Sequence, residues 1–225
     1  ILPDTPPARL KEATLRVARV RHTESKAHPH DWDAAAMCWQ VFAPYAAHVT
    51  GCKFEEASPV RLGKDDLAGV RLLHLTGRRA ARLSESERAA LKGFTGKGGM
   101  VLVDAYAGSP EFAASARKEL EAVFGTLEPL PSDHLLAEGR FERGEDLNRG
   151  VRLKLPARQL LRSRGGDPSG QKLLMARLGN RPAVIFSEFD LSAAMAGIEN
   201  YRSLGYKPEG ARMIVGNLLA LAMAD

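Results

Sequence analysis

Three residues able to move protons sit where apolar runs end. His74 lies near the close of Val70–Thr76, Asp104 closes Met100–Asp104, and Asp190 follows Ala183–Ser187. Two carboxylates brought together raise one pKa by mutual repulsion, and a histidine or a cation relieves it. Such a set suits general acid–base work, so Asp104, Asp190 and His74 are the candidate catalytic residues of a hydrolase. Asp31 and Trp32 follow the first expected strand, and Thr76, Gly77, Tyr106 and Ser187 lie at later strand ends. These six are candidate ligand-binding positions, with Trp32 as an apolar or stacking wall. His28, His30 and Asp31, within His-x-His-Asp-x-Asp, form a dense donor set for a divalent metal, although the spacing matches no established site. Each residue also has a plainer role. Asp31 or Asp33 would cap a helix, His74 would be a core histidine, and Asp104 and Asp190 would cap the turns that follow them.

Ordinary nucleotide-binding and α/β-hydrolase chemistry are disfavoured by what is missing. The chain has no G-x-S-x-G elbow, no Walker-type phosphate loop and no G-x-G-x-x-G after its first strand. Gly96-Lys97-Gly98-Gly99 precedes a strand and reads as a turn. Cys38 and Cys52 form neither a CxxC pair nor a metal set, and read as buried free thiols or as a single bridge in an exported protein. No cofactor is expected beyond the divalent metal just named.

The elements that must position these residues follow from periodicity. Thr14–Val20 alternates apolar and polar residues, Cys52–Glu55 is a short second strand, and Val70–Thr76 is apolar enough to be buried on both faces. A helix is expected from Ala34 to Phe42, with Pro44 ending or kinking it. Ser84-x-x-Glu87 is a capping box, with Gly96 a plausible stop, and Ser109-Pro110 opens a helix that stops at Gly125. Lys172–Leu178 and Ala183–Ser187 flank Gly179-Asn180 as a hairpin, and Pro208–Met223 carries one apolar helical stripe. Strands alternating with helices predict an α/β layer fold with a mostly parallel sheet. Residues 1–13 read as an N-terminal arm and 14–225 as one domain. In an open parallel sheet ligands bind beyond the carboxyl ends of the strands, so Asp31, Trp32, His74, Asp104 and Asp190 should share one edge, with Ser192 nearby.

Composition sets the remaining bounds. The 225 residues are 44% hydrophobic and 26% charged, which excludes a disordered chain. No apolar run approaches the ~20 residues of a membrane-spanning helix. The net charge of +5 resides in residues 140–164, where eight Arg and Lys face three Asp and Glu. That stretch is either an anion-facing patch or a solvated face. No nucleic-acid motif accompanies it, so a sequence-specific nucleic-acid partner is not expected.

Six stretches in register carry a family resemblance. They are Asp31-Trp32, Leu73–Gly77, Leu83–Glu87, Gly98–Asp104, Leu130–His134 and Ala183–Ser192. Together they resemble the family catalogued as domain of unknown function 4159, from about Thr14 to Leu221. The resemblance implies a fold similar to class I glutamine amidotransferases, a flavodoxin-like three-layer sandwich, in exported or envelope-associated bacterial proteins. In such amidotransferases a cysteine nucleophile occupies a sharp turn after a central strand. The corresponding turn here is Asp104–Gly108, with Tyr106 near the cysteine's place, so thiol glutaminase activity is not expected. The leading expectation is therefore a non-catalytic, amidotransferase-like module that binds a small or polymeric ligand at the carboxyl edge. Hydrolysis by Asp and His is the alternative.

Overall fold

The computed structural model describes residues 14–22, 28–198 and 200–224, so the expected arm 1–13 lies outside the described residues. The alternating run Leu15–Val20 forms β1. After a 3-10 turn at Asp31–Asp33, α1 spans Cys38–Thr50 and β2 spans Phe54–Val60. Then come β3 (Val70–Gly77), α2 (Glu85–Gly96), β4 (Met100–Ala105) and α3 (Pro110–Phe124). The two-residue β5 (Glu128–Pro129) precedes three short helices, α4 (Leu135–Glu138), α5 (Leu147–Gly150) and α6 (Leu155–Ser163). The chain closes with β6 (Leu173–Leu178), β7 (Arg181–Ser187), the single turn α7 (Ser192–Met195) and α8 (Pro208–Met223).

The seven strands form one sheet in the order β2-β1-β3-β4-β7-β6-β5. The five from β2 to β7 are parallel, and β6 and β5 add antiparallel. The order 2-1-3-4 followed by one further parallel strand is the flavodoxin-like arrangement. Alternate residues of each strand feed opposite faces. Leu72, Leu102 and Ile185 point into a core with α1, α7 and α8, while Leu73, Val101, Val103 and Phe186 meet α2 and α3. This gives three layers, and it explains why β4 is buried at every position.

Local signals hold at the later helices. Ser84 Oγ accepts from the Glu87 amide and Glu87 Oε2 accepts from the Ser84 amide at 2.7 Å, closing the capping box. Ser109 caps α3 with Pro110 in its first turn. Two expectations are corrected. β2 begins at Phe54 and reaches Val60, beyond the expected Cys52–Glu55, because parallel pairing with β1 carries it on. α1 starts only at Cys38 and passes through Pro44. Neither Asp31 nor Asp33 caps it: Asp31 accepts from the Arg78 and Arg79 amides, and Asp33 pairs with Arg19. A proline inside a helix costs ~3 kcal/mol, which burial of Trp39, Phe42, Ala46 and Val49 on the α1 face offsets.

Candidate functional site

The carboxyl ends of β3, β4 and β7 adjoin in register, with Thr76 opposite Asp104 and Asp104 opposite Ser187. His74 is 1% exposed, and Asp104, Asp190 and Ser192 are 0% exposed. Asp104 accepts four hydrogen bonds. Its Oδ1 takes His74 Nε2 at 2.8 Å and the Ser192 hydroxyl at 2.7 Å, and its Oδ2 takes the Leu191 and Ser192 amides at 2.8 and 2.9 Å. Burial alone would push this carboxyl up. The His74 hydrogen bond and the two amides outweigh it and hold Asp104 below the usual carboxylate range.

The Trp39 indole fixes the tautomer of His74. An indole N–H only donates, and Trp39 Nε1 lies 3.0 Å from His74 Nδ1. Nδ1 therefore accepts, and the ring proton sits on Nε2, facing Asp104. Ser, His and Asp are the residue types of a hydrolytic triad, but they are wired otherwise. In a triad the serine and the aspartate take opposite ring nitrogens. Here both lie on the Nε2 side, with Ser192 Oγ 3.2 Å from Nε2, and Trp39 occupies the other. The set clasps β3, β4, α1 and the turn after β7, and none of its polar groups meets solvent.

Asp190 completes the clasp. Its Oδ1 accepts from the Ala193 amide and its Oδ2 from the Ala107 amide, each at 2.9 Å. Successive amides, Ser192 and Ala193, thus hold the two carboxylates, which makes Asp104 and Asp190 neighbours across one turn. Burial first, then the charge of Asp104, pushes Asp190 up to about 7. Its expected role as a cap for the Leu191–Met195 turn is also met, through Ala193. Ala107, which it pins, has φ +55° and is the one non-glycine with positive φ among the described residues. Its neighbour Gly108 also has positive φ, and a Cβ there would sit 2.2 Å from the Leu204 carbonyl oxygen. A strained turn after a central strand is where hydrolases of layered folds place a nucleophile. The strained residue is Ala107, one place beyond the Tyr106 that the family resemblance implied, and it carries a methyl group.

The other candidates lie on the same edge, some at its rim and some buried beneath it. Asp31 binds the turn after β3, its Oδ2 accepting from the Arg78 and Arg79 amides at 2.9 and 2.8 Å. Gly77 permits this approach, since a Cβ there would lie 2.6 Å from Asp31 Oδ2. Trp32 is 8% exposed, with the Arg19 and Arg21 guanidinium groups 5.4 and 5.1 Å from its ring. It is an inner support, with little of its ring open to a stacking ligand. Tyr106 is half-buried, and the Arg78 guanidinium lies 4.7 Å from its ring. Thr76 donates to the Asp104 backbone carbonyl, and Ser187 donates to the Phe189 carbonyl, so both hydroxyls brace the strand ends.

A cleft of about 520 Å³ opens beside this rim, walled by His28, His30, Asp31, Arg78 and Arg79. The three proposed metal ligands thus share a wall, yet Asp31 is committed to backbone amides. No three His, Cys, Asp or Glu side chains among the described residues are grouped to hold a metal ion. A larger concavity, about 630 Å³, lies at the opposite end of the sheet, where Gly69, Val70 and Gly99 open β3 and β4. It gathers none of the candidate residues.

The basic stretch divides in two. Arg140 pairs with Glu138, Arg143 donates to the His48 carbonyl, and Arg149 faces Asp146. Lys154 turns inward to Ser203 Oγ at 3.0 Å and lowers the Asp190 pKa through its charge. Arg152, Arg162 and Arg164 are exposed around α6. Cys38 and Cys52 are free buried thiols, and burial pushes the Cys38 thiol up. No helix among the described residues is long and apolar enough to cross a membrane.

Sequence reading found the acids and His74 but missed Trp39, which decides what His74 can do. A signal was present: a tryptophan on the sheet-facing stripe of a helix needs a partner for its N–H. A family model described as a domain of unknown function (DUF4159) matches residues 16–223. No curated protein matches the chain.

Proposed function

The chain belongs to the domain of unknown function 4159 family, and from that premise and the geometry of the carboxyl edge we propose that it is a non-catalytic module that binds an acidic ligand. One observation carries this reading. The acid–base groups of the edge are sealed and internally bonded, whereas the cleft beside them exposes His28, His30, Arg78 and Arg79. Arginine pairs a carboxylate or phosphate bidentately, and a cleft of this size suits a small ligand or one residue of a polymer. Placement in an exported or envelope-associated bacterial protein belongs to the same proposal and rests on the family likeness. The strained turn presents Ala107, so no ammonia should be released from glutamine.

Citrate, as a polycarboxylate probe, tests the cleft by calorimetry, with heparin as the polymeric probe. Binding to either, weakened at least ~10-fold (about 1.4 kcal/mol) in Arg78→Gln/Arg79→Gln, supports the reading. No binding of either probe at low salt removes it. Asp190, pushed up to about 7, favours one rival, hydrolysis with Asp190 as proton carrier once the segment after β7 opens. Glutamine or ester turnover abolished by Asp190→Asn would replace the binding reading with that one.

A further inference from the structure

A second groove of about 470 Å³ shares no residue with the cleft above. Arg21 and His22 wall it at the end of β1, Arg61 and Lys64 beyond β2, and Ser86 and Glu87 at the start of α2. Among the described residues of the wall, Arg61 and Lys64 face one carboxylate, and that carboxylate is engaged: Glu87 Oε2 accepts from the Ser84 amide at 2.7 Å and from its hydroxyl at 2.8 Å. Arg61 and Lys64 are exposed. The field in the groove therefore favours an anion.

His22 adds a more specific demand. It is 3% exposed, and its Nε2 lies 2.9 Å from the Thr76 carbonyl oxygen. A carbonyl only accepts, so Nε2 carries the ring proton and Nδ1 is left as an acceptor. Nδ1 is buried and has no hydrogen-bond partner. Buried polar groups are nearly always bonded, and an orphan of this kind calls for an explanation. Here the missing partner is a donor, while the surrounding cations call for negative charge.

We propose that this groove binds a small oxyanion that retains an O–H, of which hydrogen phosphate is the simplest. Its charged oxygens face Arg61 and Lys64, and its O–H donates to His22 Nδ1. Sulfate has the same shape but no proton at neutral pH, so it satisfies the cations and leaves Nδ1 facing a lone pair. The groove should discriminate between the two.

Calorimetry with inorganic phosphate and with sulfate at neutral pH tests this on the intact chain. Phosphate should bind at least ~10-fold more tightly than sulfate, the ratio one well-made hydrogen bond supplies. Arg61→Gln/Lys64→Gln should weaken phosphate by a similar factor and leave citrate binding at the other cleft unchanged. His22→Phe should abolish the preference for phosphate. If that variant fails to fold, the sulfate comparison and the surface variant still decide. No phosphate binding at millimolar concentration, or equal binding of the two anions, overturns the proposal. Loss of citrate binding alone would count only against the other cleft.

Discussion

The clasp and the rim lie on the same edge of the same sheet and use similar residues, yet they resolve charge in opposite ways. In the clasp, Asp104 is 0% exposed and has four protein donors. On the rim, Asp31 also accepts backbone amides, but around it Arg78, Arg79, His28 and His30 are exposed. Water can solvate a rim group at little cost, whereas a buried carboxylate must be bonded within the protein. Position beyond a strand end therefore does not by itself make a residue functional. What matters is whether its hydrogen-bonding capacity is already filled.

The sharpest way to break this contrast is Asp104→Asn, which sets an amide N–H₂ against groups that are themselves donors. Leaving a buried hydrogen-bonding group unsatisfied costs ~1–3 kcal/mol, and more where the bond was to a charge. Urea unfolding should show a loss of that order, and a loss below ~1 kcal/mol would mean that the clasp is not what holds this edge.

The pH dependence of stability comes next. The folded state holds the Asp190 proton up to about 7, whereas the unfolded chain releases it near the ordinary ~3.9. Asp190 therefore contributes stability at low pH that fades as pH rises through that window. Asp104, lowered, does the reverse, and its contribution is lost only as pH falls below the ordinary carboxylate range. His22 and His134, both lowered chiefly by burial, favour higher pH, but they are common to the parent and a variant. Between about pH 4 and 7 the parent should thus lose stability relative to Asp190→Asn. Parallel stability curves for the two proteins would show that the folded state does not hold the Asp190 proton.

Trp39→Phe leaves His74 Nδ1 without a donor and should cost ~1–3 kcal/mol, the range for an unsatisfied buried group. If His74 instead turns over and rebonds, thermal melts will show little change. The smallest effect belongs to the rim. Arg78→Gln and Arg79→Gln should each move stability by within ~0.5 kcal/mol, as exposed substitutions do. A large loss there would make the rim structural, like the clasp.

Much of the frame was legible from residue pattern alone. Strand and helix alternation, the Ser84 capping box, the Ser109-Pro110 helix start and the late hairpin all arise from local periodicity and short-range hydrogen bonding. The α1 region was not, because its start depends on where distant partners draw Asp31 and Asp33, and its passage through Pro44 depends on packing against the sheet and α8.

The same division runs through the site. Residue order and periodicity were enough to place Asp31, His74, Asp104 and Asp190 at or beyond strand ends, which a parallel sheet brings to one edge. Long-range packing was needed to turn His74 toward Trp39 on one side and Asp104 on the other, to bond Ser192 to the carboxylate, and to put the strain at Ala107. These contacts span 30 to 88 residues along the chain. Burial and hydrogen-bond satisfaction are properties of what surrounds a side chain, and no periodicity of its own segment encodes them.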